Sequence, residues 1–256
     1  MIIIDTHTHL YLDKFDSDRE HAVTAAIEKG VKYMLLPNID SSSIHPMLSL
    51  CDDFPENCFP MMGLHPTSVK DNYKKELGIV NKWLGEKKFI AIGEIGIDLY
   101  WDKSYVAQQE EAFRFQIQLG INHDLPLVIH SRDSMDKILE ILKEYSGNNI
   151  RGVFHCFTGT ADQAVKIIQL GFYLGIGGVL TFKNSGLSEV LDSIDLQHIV
   201  LETDAPFLAP VPFRGKRNES AYILLVAQKL AEVKKCGIEE VARVTTDNAA
   251  TLFKWF

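Results

Sequence analysis

The sequence predicts an α/β protein in which eight parallel strands alternate with helices, the (β/α)8 or TIM barrel. Eight short apolar or β-branched runs recur along the chain, and each has the length of a buried parallel strand. Stretches with the apolar spacing of helices separate these runs, and such alternation is typical of a parallel sheet with crossover connections. Eight strand–helix units in 256 residues fit one barrel.

The elements follow one another at the spacing of single strand–helix units. Strands are predicted at residues 2–4, 33–36, 59–62, 89–92, 127–129, 152–154, 172–176 and 199–201. The clearest helical periodicity lies in 107–120 and 135–145, where apolar residues form one stripe. An open doubly wound sheet is the main alternative, but it would more often show a glycine-rich loop after its first strand. No linker or low-complexity segment divides the chain, so a single domain spanning 1–256 is predicted.

Composition points to a soluble globular protein. The chain is 46% hydrophobic and 23% charged, which is ordinary for a domain with a sizeable core. No apolar run approaches the roughly 18 to 20 residues of a membrane span. The run at 1–4 is too short for the apolar core of a signal peptide. The four cysteines form no C-x-x-C pair, so reduced thiols and a cytoplasmic location are expected.

The net charge of −8 argues against a broad basic face for double-stranded nucleic acid. A nucleic-acid substrate stays possible, because bound divalent metals would add positive charge where a phosphate sits. The densest basic cluster is Arg214-Gly215-Lys216-Arg217. It is either a solvated loop or a contact to substrate.

A candidate metal site begins at Asp5-Thr6-His7-Thr8-His9, directly after the first predicted strand. Alternate side chains of an extended segment point the same way, so His7 and His9 project together and can both reach one divalent metal. A structural or surface histidine pair is the alternative. The other histidines favour metal, because five of the nine in the chain follow predicted strands: His7, His9, His65, His130 and His155.

Two carboxylates extend this set. Glu94 lies in an otherwise apolar run, and a buried carboxylate costs several kcal/mol unless it is paired or binds a metal. Asp204 follows the last predicted strand, although it could instead cap a helix that begins at Pro206. His130 and His155 could individually be core histidines, but they lie at the ends of successive strands. Six ligands exceed the need of one tetrahedral zinc and suit two metals. Glu94 would bridge them, with His7, His9 and Asp204 on one metal and His130 and His155 on the other.

Several segments together resemble the TatD family of metal-dependent deoxyribonucleases, within the amidohydrolase-like barrels. The matching segments are Asp5-Thr6-His7-Thr8-His9-Leu10, Gly63-Leu64-His65-Pro66, Gly93-Glu94-Ile95-Gly96-Ile97-Asp98, Ile129-His130-Ser131-Arg132, His155-Cys156-Phe157-Thr158-Gly159, Glu202-Thr203-Asp204-Ala205-Pro206-Phe207-Leu208 and the basic loop Pro212-Phe213-Arg214-Gly215-Lys216-Arg217-Asn218-Glu219. They occur in the family's order and cover essentially the whole chain. One departure is Ser220, where the family's loop often continues with proline.

The resemblance implies a metal-dependent deoxyribonuclease that cleaves DNA phosphodiesters, as a 3′–5′ exonuclease on single strands. Single-stranded DNA would be its substrate partner, with no membrane and no obligate protein partner. It implies His7, His9, Glu94, His130, His155 and Asp204 as ligands of two divalent ions. The family is usually described as magnesium-dependent, but four imidazoles suit zinc, manganese or cobalt better. Mg²⁺ or Mn²⁺ is therefore expected in the cell, and Zn²⁺ in purified protein.

Charge placement suggests roles for the remaining residues. The two ions would activate a water molecule, with Glu94 as their bridge and Asp204 as ligand and proton acceptor. His65 and Arg132 are the candidates for catalytic contact with phosphate oxygens, and Arg214 and Arg217 for the flanking strand. Asp98 is a candidate partner that orients a histidine.

Two alternatives remain. One is an amidohydrolase acting on a small amide or ester, or on aminoacyl-tRNA. Many such relatives bridge their metals with a modified lysine, whereas this chain has Glu94 at that position. The other is a non-catalytic metal-binding protein, which would be expected to lack one or more ligands.

Overall fold

The computed structural model describes residues 1–254 and contains eight strands and nine α-helices in that range. The strands are β1 Ile3–Asp5, β2 Val31–Leu36, β3 Cys58–Pro60, β4 Ile92–Asp98, β5 Leu127–Arg132, β6 Gly152–Phe154, β7 Phe172–Ile176 and β8 Ile199–Leu201. The helices are α1 Arg19–Glu28, α2 Ile44–Asp53, α3 Tyr73–Glu86, α4 Val106–His123, α5 Met135–Lys143, α6 Ala161–Gln169, α7 Leu187–Asp192, α8 Ile223–Lys234 and α9 Ile238–Phe253.

All paired strands are parallel, in the orders β1-β2-β3 and β4-β5-β6-β7-β8. Two sets of backbone contacts join these groups into a closed barrel. Met62, just after β3, forms a parallel bridge with Ile92 of β4. On the other side, the Thr6 amide donates to the Leu201 carbonyl at 3.0 Å, next to β1 and β8. The predicted (β/α)8 barrel is confirmed, and the open-sheet alternative is wrong.

Three predicted strand boundaries near the site shift. The fourth strand, predicted at 89–92, is Ile92–Asp98 and therefore runs through Glu94. The fifth continues through His130 to Arg132. The first ends at Asp5 rather than Ile4. Each shift brings a polar residue, Asp5, Glu94 or His130, within the limits of its strand.

The amino ends of the strands are closed by α9. Its last turn places Ala249, Leu252 and Phe253 against an apolar layer inside the barrel. That layer is formed by residues of five strands, with Met61 just after β3 and Ala91 just before β4: Ile4, Leu35, Met61, Ala91, Val128, Val153 and Val200. A second and larger core lies between strands and helices. With one end filled, the barrel opens at the carboxyl ends of its strands, where active sites of this fold lie.

Two further observations concern the whole described range. None of the helices within residues 1–254 is long and apolar enough to cross a membrane. The four cysteines, at positions 51, 58, 156 and 236, are free thiols. The predicted domain end at residue 256 lies outside the described residues.

Candidate metal centre

Glu94 lies at an irregular point of β4, where the pairing register with β5 shifts between Ile92 and Ile95. Here the Glu94 amide donates to the carbonyl of Asn38 at 3.1 Å, and the side chain is only 2% exposed. Beyond it, Gly96 has a φ of 144°, and a Cβ there would lie 2.0 Å from the His130 carbonyl oxygen. Only glycine allows β4 and β5 to approach so closely. This local geometry brings Glu94 and His130 together.

Buried hydrogen bonds join the end of β1 to the segment after β8. The Asp5 carboxylate accepts hydrogen bonds from the Thr203 amide at 2.9 Å and the Thr203 hydroxyl at 2.6 Å. Burial raises the pKa of Asp5 to about 7 although these hydrogen bonds favour ionisation. The Asp204 amide then donates to the His7 carbonyl at 2.9 Å. These hydrogen bonds therefore place Asp204 beside the two histidines that follow β1.

The six predicted ligands converge on one point, and the two Glu94 oxygens divide them into two groups. Oε2 lies 3.1 Å from His7 Nε2 and 3.6 Å from His9 Nε2. Oε1 lies 2.9 Å from His130 Nδ1 and 2.9 Å from His155 Nε2. Asp204 Oδ1 joins the first group, 3.8 Å from His7 Nε2 and 3.6 Å from His9 Nε2. Each Glu94 oxygen therefore lies beside a different group of candidate ligands. A carboxylate in this position can bridge two metal ions.

A hydrogen bond fixes the tautomer of neutral His9. Its Nδ1 lies 2.8 Å from the Tyr11 hydroxyl oxygen. That hydroxyl donates its only proton to the Pro37 carbonyl at 2.5 Å, so the imidazole must be the donor in the first contact. The Nε2 atom of His9 therefore carries the lone pair, and it is this atom that faces Glu94 and Asp204.

A carboxylate lies beside each histidine of the opposite pair, and the Asp98 carboxylate is hydrogen-bonded to His130. Asp98 Oδ2 lies 2.9 Å from His130 Nε2. Burial opposes ionisation of Asp98, but the hydrogen bond from His130 and the Trp101 amide outweigh it and lower the pKa to about 2. Glu202 Oε1 lies 3.4 Å from His155 Nδ1 and accepts the Cys156 amide at 2.6 Å. The His130 ring thus presents Nδ1, as a lone pair, to Glu94. His155 Nδ1, by contrast, is buried without a hydrogen-bond partner in the described residues.

These orientations call for a cation at the centre. Imidazole lone pairs face carboxylate oxygens across about hydrogen-bond distance, and two acceptors repel unless a proton or a metal ion lies between them. His7 Nε2 and His9 Nε2 are 3.2 Å apart, and His7 Nδ1 is buried with no hydrogen-bond partner within residues 1–254. Four imidazoles and two carboxylates suit Zn²⁺, Mn²⁺ or Co²⁺. The residues present therefore fit a pair of divalent ions.

The close packing of these groups also shifts their pKa values when no metal is bound. Burial opposes ionisation of Glu94, but the neighbouring His155, His65 and His7 rings hold its pKa well below the usual range. Burial also opposes protonation of His9, yet hydrogen bonds to Asp204 and Glu94 raise its pKa to about 9. Protons therefore compensate the carboxylates when no metal is present.

His65 differs from the other histidines. Its Nε2 lies 3.2 Å from Glu94 Oε1, close enough for His65, Glu94 and His130 to hold one ion by distance alone. However, the Thr67 amide donates to His65 Nδ1 at 3.1 Å. The Thr67 hydroxyl oxygen also lies 2.7 Å from Nδ1, and when this hydroxyl donates as the amide does, the proton of the neutral ring is on Nε2. His65 therefore presents a donor toward the centre, as a contact to a phosphate oxygen requires.

The three arginines proposed for substrate lie in different environments. The exposed Arg132 guanidinium lies 3.9 Å over the Tyr100 ring and forms no ion pair within the described residues. Arg214 likewise lies 4.5 Å over Phe182, without a carboxylate partner in the described part of the chain. Arg217 is already engaged: it binds both oxygens of Asp18 at 2.7 Å. Arg217 thus joins two loops and is not free for a phosphate.

Two contacts at the site were not predicted. Tyr11 behind His9 and Glu202 behind His155 both act through a ligand and lie outside the six-ligand set. The position of Glu202 at the end of an apolar strand was a usable signal, by the same argument that identified Glu94. Tyr11 gave no signal of its own, since its partner Pro37 lies on another strand–helix unit. The helix-cap alternative for Asp204 is wrong, because no helix begins at Pro206.

Comparisons with known proteins place the chain in a family of hydrolases named as metal-dependent. The family model described as "TatD related DNase" matches residues 4–254. The chain is 37% identical over 254 residues to the uncharacterized metal-dependent hydrolase YabD of Bacillus subtilis, with 99% of each chain covered. It is 34% identical to the uncharacterized metal-dependent hydrolase YcfH of Escherichia coli K12, covering 99% of this chain and 96% of YcfH.

A solved structure shows the same fold. The TatD homolog YJJV from Escherichia coli K12 superposes with a TM-score of 0.93 at 30% identity, covering 99% of this chain and 98% of YJJV. A TatD family hydrolase from Entamoeba histolytica superposes at 0.85 and 21% identity, with 98% of each chain covered. The chain therefore belongs to the TatD-related DNase family of metal-dependent hydrolases.

Proposed function

We propose that this protein is a deoxyribonuclease that hydrolyses DNA phosphodiester bonds at a dinuclear metal site, as a 3′–5′ exonuclease on single strands. The observation that carries the proposal is the division of the six candidate ligands by Glu94, with one pair of candidate ligand histidines on each carboxylate oxygen. The family description and the proteins named above as metal-dependent hydrolases support the metal chemistry. The exonuclease polarity rests on the family resemblance alone.

The ions would be held by His7 Nε2, His9 Nε2 and Asp204 on one side, by His130 Nδ1 and His155 Nε2 on the other, and by Glu94 between them. Bound divalent ions lower the pKa of water and stabilise negative charge on phosphate oxygens. Mn²⁺ or Mg²⁺ would serve in the cell, and Zn²⁺ would be retained on purification.

The protein's own groups then divide the remaining work. His65 donates its Nε2 proton in a hydrogen bond to a phosphate oxygen, and Arg132 neutralises phosphate charge with a guanidinium that has no ion pair within residues 1–254. Asp204, which would hold the ion through Oδ1, accepts the proton of the attacking water on its other carboxylate oxygen. Tyr11 and Asp98 hold the His9 and His130 rings in the tautomers that keep the metal-facing nitrogens unprotonated.

A phosphodiester is favoured over an amide for two reasons. The bridging position holds the carboxylate of Glu94, whereas many amidohydrolases bridge with a modified lysine. The rim also carries guanidinium groups without ion pairs in residues 1–254, at Arg132 and Arg214, and these bind phosphate well.

The test is digestion of a single-stranded oligonucleotide labelled at either end, with Mg²⁺ or Mn²⁺ added and with chelator as control. Stepwise shortening from the 3′ end is expected, with no cleavage in chelator. Glu94→Ala should lower the rate by at least about 100-fold, since it removes the bridge. Glu76→Ala is the matched control, because Glu76 is also buried but binds Ser41 and Asn72 outside the site.

A parallel screen of amides, esters and an aminoacyl-tRNA separates the alternative. Cleavage of one of these substrates, with no cleavage of oligonucleotides under any metal, would replace the deoxyribonuclease proposal with an amide or ester hydrolase.

A further inference from the structure

Large apolar side chains exposed to solvent gather at the mouth of the barrel. The carboxyl-end loops carry Tyr100, Trp101, Phe207, Leu208 and Val211, which make up five of the nine such residues in the described chain. Trp101 is the most exposed of all, at 68%, and Tyr100 follows β4 beside it at 52%. Exposed aromatic side chains that cluster at a catalytic opening indicate a binding surface.

Tyr100 and Trp101 are tied directly to the metal centre. Their amides donate to Asp98 Oδ1 at 2.9 and 3.0 Å, while Asp98 Oδ2 holds His130. The two rings meet edge to face, with centroids 4.9 Å apart. One carboxylate thus fixes both a candidate metal ligand and the start of the aromatic pair, so the pair lies at the edge of the site.

Arg132 adds a positive charge to this pair. Its guanidinium lies 3.9 Å from the centre of the Tyr100 ring and 5.5 Å from that of Trp101. Stacking orients a guanidinium without using its N–H donors, which stay available for a phosphate. Because Tyr100 carries the guanidinium on its face, the mostly exposed indole of Trp101 is the surface left for a planar ligand.

From this arrangement we infer that Trp101 stacks an unpaired nucleobase next to the scissile phosphate, and that Arg132 on Tyr100 binds this phosphate. The inference rests on the proposed function and names how that site holds its substrate. Aromatic faces beside cations suit single-stranded nucleic acid, because each nucleotide offers a flat base and an anion. A paired base in a duplex does not expose its face in this way, so stacking on Trp101 favours single strands.

The test compares kcat and KM on two single-stranded oligonucleotides, one ordinary and one with base-free sugar residues on both sides of the 3′-terminal phosphodiester. Loss of one base stack corresponds to about 5- to 150-fold in affinity. Trp101→Ala should raise KM for the ordinary strand by about tenfold or more and leave its kcat, and both constants for the base-free strand, within about twofold. Trp101→Phe should restore most of the difference. Phe115→Ala, which removes a 41% exposed ring from α4, is the matched control and should change neither strand.

Equal effects of Trp101→Ala on both strands, or no effect on either, would overturn the inference while leaving the deoxyribonuclease in place. If wild-type protein cleaves neither strand with any metal, the proposed function is wrong, and the inference about Trp101 is wrong with it. The wild-type reactions therefore test the proposed function, and the Trp101→Ala reactions test the stacking inference separately.

Discussion

At the residue scale, the predicted ligands were accessible to sequence reasoning because each is a polar residue within or just after an apolar run. Glu94 and His130 could be found in this way, and the structure places them in contact. What the sequence could not supply is the proton positions, which depend on partners distant in the chain. The donor role of His65 follows from the Thr67 amide, and the tautomer of His9 follows from Tyr11 and Pro37.

Arg217 shows the opposite limit. Its basic loop predicted a contact to substrate, but the guanidinium binds Asp18 and Glu219 instead. A pairing of residues about two hundred positions apart is set by closure of the barrel, and local charge does not reveal it.

Asp98 gives a prediction at this scale. Its carboxylate forces the His130 proton onto Nε2, and Asp98→Asn would present an amide N–H there while the side-chain oxygen keeps the backbone amides of Tyr100 and Trp101. The proton would then move to Nδ1, which faces Glu94. We expect the affinity for the second Mn²⁺ to fall by about 10- to 100-fold, as measured by isothermal titration calorimetry.

Asp102→Asn is the control for this measurement, since Asp102 lies in the same loop but pairs with Lys70. Unchanged Mn²⁺ affinity in Asp98→Asn, to within about twofold, would remove Asp98 from its positioning role.

At the scale of elements, helices α4 and α5 and the number of strands were predicted well, because apolar periodicity reports burial. The limits of β4 were not, since Glu94 inside the strand looked like its end. The shift of register between Ile92 and Ile95 explains the difference: an irregular pair turns a polar side chain inward without ending the strand.

The last helix closes the barrel floor, and this leads to a stability prediction. Leu252 of α9 is 2% exposed and packs on the apolar layer inside the barrel. Leu252→Ala should lower the free energy of unfolding by about 2 to 5 kcal/mol, because it leaves a cavity at a packed end. Chemical denaturation of the metal-free protein measures this value.

Val165→Ala provides the comparison, because Val165 of α6 is 45% exposed. Its effect should stay within about 0.5 kcal/mol. Equal decreases in the free energy of unfolding of the two variants would show that α9 does not stabilise the amino end of the barrel.

At the scale of the molecule, the fold and the charge fit together. A net charge of −8 would repel a nucleic acid over most of the surface. The compensating groups lie at the mouth of the barrel, where Arg132 and Arg214 lack ion pairs within residues 1–254 and five imidazoles surround Glu94. Affinity for DNA would therefore depend on the bound metals, and a chelator would remove binding as well as chemistry.

The central claim is that Glu94 bridges two divalent ions. The most direct measurement is the metal content of wild-type protein, Glu94→Ala and Glu76→Ala after equilibrium dialysis against Mn²⁺ or Zn²⁺, read by mass spectrometry of the metals. The account predicts two ions per chain in wild type and Glu76→Ala, and one or none in Glu94→Ala. Two ions retained at full affinity by Glu94→Ala, or a single ion in wild type at saturation, would contradict it.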